Sequence, residues 1–258
     1  MESYSHIELT EDELDEAILG AKRKKEIILQ REKIKQKEAE NRKLFIETAW
    51  SMKQTASYAE YRATQIFDKK FEIDKNNSDV YFLLCAYFSR HAEFFNIAGY
   101  MGVENASLEK GLLLAGSFGT GKTWMMKLFS RNQRQVFAVQ NAKAIADIFE
   151  ATGEESIQQF VTCPSLPAND IENFCHSRMG ICIDDLGTEG LKIHYGNKKN
   201  VIGDLIELRY STGNIGSVFH ATTNLTSEQL KEFYGGRVTS RLREIMNIVE
   251  LKGDDRRK

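Results

Sequence analysis

From Gly111 onward, short apolar runs alternate with amphipathic stretches. GLLLAG (111–116), RQVFAVQ (134–140), GICIDD (180–185), GSVFHATTN (216–224) and NIVELK (247–252) read as buried strands. Between them, TWMMKLFSR (123–131), NAKAIADIFEAT (141–152), NVIGDLIELRYS (200–211) and TSEQLKEFYG (226–235) carry apolar positions at helical spacing. RVTSRLREIM (237–246) adds a short helix before the last strand. Strands that alternate with helices predict right-handed crossover units and a mostly parallel sheet covered on both faces. In such sheets the ligand lies at the carboxyl ends of the strands.

Residues 1–77 follow a different pattern, which sets a predicted boundary between a helical, charged N-terminal region (1–77) and an α/β domain (78–258). Glu2–Glu16 holds seven acids and no Lys or Arg. Ala21–Lys43 holds ten basic residues against four acids. Without Gly or Pro, and rich in helix formers, the basic stretch predicts a long helix. Its Ile27, Ile28 and Ile34 do not sustain a heptad, so it reads either as a solvated helix or as an arm for a protein or nucleic-acid partner. A second helical stretch covers 44–67, with Leu44, Phe45, Ala49 and Met52 on one face. Asn77 or Ser78 then caps a helix running to about Phe95. Its aromatic residues (Tyr81, Phe82, Tyr87, Phe88, Phe94, Phe95) could stack on single-stranded bases, but such density more often marks a core.

The bulk numbers exclude several classes. The chain has 258 residues, 41% hydrophobic, with a net charge of −2, so nucleic-acid contacts would need local basic clusters. Its four cysteines (Cys85, Cys163, Cys175, Cys182) have neither disulfide-framework nor zinc spacing. The acidic N-terminus is no secretory signal, and the longest apolar run, Val80–Phe88, is too short for a membrane span. A cytoplasmic protein without a membrane partner is expected.

Four motifs carry the chemistry. GSFGTGKT (116–123) sits between a strand and a helix, as a phosphate loop must. Its glycines let backbone N–H groups turn toward phosphate oxygens, and the helix that follows adds its positive dipole end. Gly116, Ser117, Phe118, Gly119, Thr120, Gly121, Lys122, Thr123 and Trp124 are the expected nucleotide-binding residues. Lys122 would reach the β- and γ-phosphates of ATP, and the Thr123 hydroxyl would ligate Mg²⁺. GICIDDLGTE (180–189) ends a strand in acids. Asp184 is the expected second Mg²⁺ ligand and Asp185 the water-polarising carboxylate. In HATTNL (220–225), Asn224, with Thr223 second, could fix the attacking water. In YGGRVTSRLREI (234–245), Arg237 and Arg241 share a helical face and could pair with local acids or reach a nucleotide held by a neighbouring subunit. Of the two, Arg241 is favoured.

In this order and spacing the motifs resemble the AAA+ ATPases. CIDDLGTE, LIELRYSTGN, ATTNL, EFYGGRVTSRL and LKGDDRR look, more narrowly, like the DnaC-type helicase loaders and the related IstB-type transposition helpers, over about Ser78–Arg257. The resemblance implies a parallel-sheet P-loop AAA+ core without a C-terminal helical lid, and no arginine borne on such a lid. It also implies self-association on ATP binding, contact with single-stranded DNA, and an N-terminal grip on a replicative DNA helicase or, in the transposition branch, service to a transposase. Many AAA+ proteins carry Asp-Glu where this chain has Asp184-Asp185, so slow hydrolysis is expected. A small-molecule kinase would need a basic closing lid, and 154–180 has one Arg and no Lys. Cys175 and His176 are adjacent, about 100° apart on a helix, and do not face each other. His220 reads as buried rather than catalytic.

Overall fold

The computed structural model describes residues 10–47, 49–67, 71–162, 179–194 and 197–256. The chain divides into two compact units, Met1–Thr48 and Ala49–Lys258. The described residues of the first form one long helix, α1 (Glu11–Glu47). At 1.5 Å per residue it is about 55 Å long. Ile27, Ile28 and Leu29 stand exposed on it.

The second unit begins well before residue 78, where the sequence pattern puts the boundary. α2 (Met52–Phe67) buries Thr55, Ala59 and Ala63, a small-residue stripe at four-residue spacing. It packs with α3 (Ser78–Phe88) and α4 (Glu93–Tyr100) in the same core as the sheet. The Tyr81 hydroxyl donates to the Ala56 carbonyl at 3.0 Å. The expected helix through Phe95 is broken: Arg90 takes a left-handed φ of 54°, and His91 N–H returns to the Ala86 carbonyl. That is a left-handed helix stop. Asn77 is the N-cap of α3, yet its side chain makes no cap bond there; its amide donates to the Glu72 carbonyl. Tyr81, Tyr87, Phe88 and Phe94 are core, as expected, while Phe82 and Phe95 are exposed.

All five expected strands form one sheet: β1 (Gly111–Ala115), β2 (Phe137–Asn141), β3 (Gly180–Leu186), β6 (Phe219–Thr223) and β7 (Met246–Glu250). Their order is β2-β3-β6-β1-β7 and every pairing is parallel. β4 (Lys192–His194) and β5 (Asn197–Lys199) form a separate antiparallel pair that the sequence pattern did not reveal, because three-residue strands leave no periodicity.

The strands alternate between two cores. Leu112, Leu114, Cys182 and Val249 face α2–α4 and α5 (Lys122–Phe129). Leu113, Ile181, Ile183, Ala221 and Met246 face α6 (Ala142–Thr152), α7 (Glu155–Val161), α8 (Val201–Thr212) and α9 (Ser227–Ile245). The boundary therefore moves to residue 49: without α2–α4 one face of the sheet would lie bare. Asn141 caps α6 by accepting from two backbone N–H groups, and Thr226 with Gln229 forms a capping box on α9. α9 bends at Gly235 (φ 81°, ψ 163°), so the two helices expected there survive as two halves. His220 is fully buried and accepts from Leu112 N–H through Nδ1, packed against Phe137. Cys163, Cys175 and His176 lie outside the described residues. Among the described residues no helix is long and apolar enough to cross a membrane.

Candidate nucleotide-binding site

Strand order builds the site. β6 lies between β1, which feeds the phosphate loop, and β3, which ends in the acids. The carboxyl ends of these three strands open on a cleft of about 810 Å³. Its lining includes Gly119–Met125, Lys127, Asp184, Asp185 and Asn224, with Phe71, Glu72, Asn77 and Arg256 on the remaining wall.

Within the loop, Gly119 has φ 74°, and a Cβ there would collide with the Asp255 carboxylate, so the position admits glycine alone. Lys122 is buried. Its ammonium donates to the carbonyls of Gly116 and Ser117, both at 2.7 Å, and to Asn224 Oδ1 at 2.6 Å. Asn224 Nδ2 donates to Asp185 Oδ1 at 3.1 Å. The amide of Asn224 thus has its two ends fixed by a cation on one side and an acid on the other. Trp124 lines the cleft and stacks on Phe67, ring centroids 3.6 Å apart. Phe118 stands exposed at the loop tip, and neither it nor Gly116 nor Ser117 lines the cleft; the Gly116 and Ser117 carbonyls accept from Lys122 instead.

Asp184 is 7% exposed. It accepts from the Thr123 hydroxyl at 2.9 and 3.0 Å and from the Thr222 hydroxyl at 2.7 Å. Burial pushes its carboxyl above the ordinary range; the two hydroxyl bonds pull it down, and neighbouring Asp185 pushes it up again. Among the described residues no group of three or more His, Cys, Asp or Glu could hold a metal by itself. A hydroxyl beside one carboxylate is a hard-oxygen set that suits Mg²⁺, which takes one or two carboxylates and completes its shell from phosphates and water.

In a regular strand Asp184 and Asp185 would point to opposite faces. Here both line the cleft. The β3–β6 register shifts between Ile183 and Leu186, and Asp185 takes φ 60°. A bulge of this kind re-aims a side chain. The Asp185 N–H donates to the Thr222 hydroxyl, which holds the turned residue in place.

Thr222 is a site residue that the sequence reading missed. Thr223, the second choice there, donates to the Leu186 carbonyl and is structural. The signal was available: on a strand, 222 and 224 share a face and 223 lies opposite.

Arg237 and Arg241 do not line the cleft. Both pair with Glu207 on α8. Arg241 is held there, its side chain 18% exposed with the guanidinium over the Tyr210 ring at 4.5 Å. Arg237 approaches Glu207 at 3.3 Å and is 77% exposed. The preference for Arg241 over Arg237 as the residue that reaches outward finds no support in this geometry.

The loop–Lys–Thr element, the acidic strand end and the intervening strand, in order β2-β3-β6-β1-β7, define a parallel α/β core with a glycine-rich loop between β1 and α5, preceded by helices. Among solved structures, the chain is similar to a DnaC helicase loader (20% identity, TM-score 0.39, covering 62% of this chain and 88% of that one). It is also similar to AMPPCP-bound DnaA from Aquifex aeolicus (15% identity, TM-score 0.43, 71% of this chain), of which the match spans about half, 48%. No family model matches the chain, and no curated protein matches it.

Removing the charge from Asp184 has a stability consequence. Its folded-state pKa is raised, so at neutral pH the ionised group opposes folding, and the penalty fades as pH falls through that pKa. Asp184→Asn should therefore melt higher than the wild type in the absence of metal. The gain is expected at neutral pH, where the wild-type carboxylate is ionised. It should shrink toward zero as pH drops into the ordinary carboxylate range. Thermal melts from pH 7.5 to 4.5 measure this; a lower Tm for the variant at pH 7.5 would contradict it.

Proposed function

We propose that this protein is an ATPase that binds Mg-ATP in the cleft and works as a loader of a replicative DNA helicase. The observation that carries the ATP reading is the convergence of Lys122, Asn224 and Asp185 in one hydrogen-bonded relay beside the Thr123–Asp184 pair. Phosphate oxygens would be held by the loop N–H groups, the α5 N-terminus and Lys122. Thr123 and Asp184 would hold Mg²⁺, whose chemistry there is to neutralise developing phosphate charge. Asp185 would accept a proton from the attacking water, and Asn224 would orient it.

The loader reading rests on the resemblance of CIDDLGTE, ATTNL and EFYGGRVTSRL, and on two surface features. Arg237 is exposed enough to meet a nucleotide on a neighbouring copy, with Arg241 behind it on the same helix half. Lys22, Arg23, Lys24, Lys25, Arg31 and Lys33, exposed on α1, together with its Ile27, Ile28 and Leu29 offer a grip for the helicase or for single-stranded DNA. Mass measurement of the full chain mixed with the replicative helicase of the same cell, with and without Mg-ATP, tests it. A complex that assembles only with ATP is expected. Failure to bind that helicase under either condition, with binding to a transposase of the same cell instead, would move the client to the transposition branch.

A further inference from the structure

The segment after the last strand turns back over the phosphate loop. Leu251 N–H donates to the Ala115 carbonyl at 2.7 Å, continuing the β7 pairing past its end. The Leu251 carbonyl packs so closely on Gly116 that a Cβ there would collide with it. Five residues on, Arg256 N–H donates to the Gly119 carbonyl at 3.0 Å. The Arg256 side chain then passes over Gly121 into the same cleft that Lys122, Asp184 and Asp185 line.

At its far end the guanidinium donates to Asp74 at 2.8 Å. Asp74 sits in the turn that joins the wall residues Glu72 and Asn77, and two backbone amides hold it independently of the arginine. The same carboxylate oxygen accepts from Asn76 N–H at 2.8 Å and Asn77 N–H at 3.2 Å. Arg256 holds the Asp74 carboxyl below the usual range, but both side chains are partly exposed, at 33% and 44%. An ion pair so placed is worth little. A triphosphate offers more charge and several oxygens to the planar fork of an arginine.

We infer that Arg256 is a further phosphate-binding residue of the nucleotide site, supplied in cis by the segment after the last strand and held in waiting by Asp74. On ATP binding it exchanges the carboxylate for phosphate oxygens. Its backbone stays anchored on Gly119, so the exchange needs only the side chain to move. The inference rests on the nucleotide reading proposed above and adds a second cation to Lys122.

Titration of a fluorescent ATP analogue into the full-length chain tests it, comparing wild type, Arg256→Ala, Asp74→Asn, the double variant and Lys122→Ala. Arg256→Ala should weaken binding about ten-fold, the low end for losing a charged hydrogen-bonding partner. Asp74→Asn keeps an oxygen for the Asn76 and Asn77 amides and frees the guanidinium, so it should tighten binding about two- to three-fold. In the double variant the gain should vanish. A purely structural strap predicts that both single changes weaken binding alike, and that result overturns the inference. So does wild-type affinity for Arg256→Ala while Lys122→Ala fails to bind. If the wild type itself does not bind the analogue, or Lys122→Ala binds as well as the wild type, the nucleotide reading falls and the inference with it.

Discussion

Asp185→Asn should lower ATP turnover by about 10²–10⁴-fold, the contribution of a positioned general base, with affinity for ATP unchanged within a few-fold. The substitution keeps what holds the residue. Asn tolerates a positive φ, here 60°, and its amide oxygen can still accept from Asn224 Nδ2. Only the proton-accepting charge is lost. Single-turnover hydrolysis at saturating ATP separates chemistry from binding. A turnover within three-fold of the wild type would assign the base elsewhere. The same backbone bears on the choice of Asp at 185. At a left-handed position Asp is favoured over a longer side chain, because its short carboxylate can bond locally. Asp185→Glu should therefore lower the melting temperature even if it restores reach toward the water.

Lys122→Ala should weaken ATP binding about 100-fold, through loss of roughly 2–3 kcal/mol of charge-assisted hydrogen bonding. Lys122 is tied to both the loop and the relay: it bonds Gly116, Ser117 and Asn224 at once. Its removal also frees Asn224 Oδ1, so turnover should fall further than affinity does. Calorimetric titration with Mg-ATP gives the first number and steady-state turnover the second. The melting temperature of the nucleotide-free variant serves as control, since two half-buried loop carbonyls lose their donor. Wild-type affinity would remove the loop from the nucleotide site altogether.

The five strands of the main sheet and most of the helices that cross between them were legible because each depends on neighbours in sequence. Leu112, Leu113 and Leu114 announce a strand buried on both faces, and Gly116, Gly119 and Gly121 announce a tight left-handed loop between strand and helix. The N-terminal division was not legible. α2 signals its burial through Thr55, Ala59 and Ala63, small residues that look as well suited to a solvated helix as to a buried one. The break after Phe88 also escaped, because Arg90 gives no glycine-like warning of its left-handed turn.

For the candidate site, the amino-acid sequence by itself picked out Lys122, Thr123 and Asp184, the side chains proposed to hold phosphate and metal, since they sit on a strand–loop–helix unit and a strand end that are local. Only the tertiary structure decided what they do together. β6 had to insert between β1 and β3 before Asn224 could bond both Lys122 and Asp185, and a bulge had to turn Asp185 onto the face of Asp184. It also paired Arg241 with Glu207 and brought Arg256 from beyond the last strand over Gly119. These are contacts between segments from tens to more than a hundred residues apart. They follow from strand order and register, which no local spacing encodes.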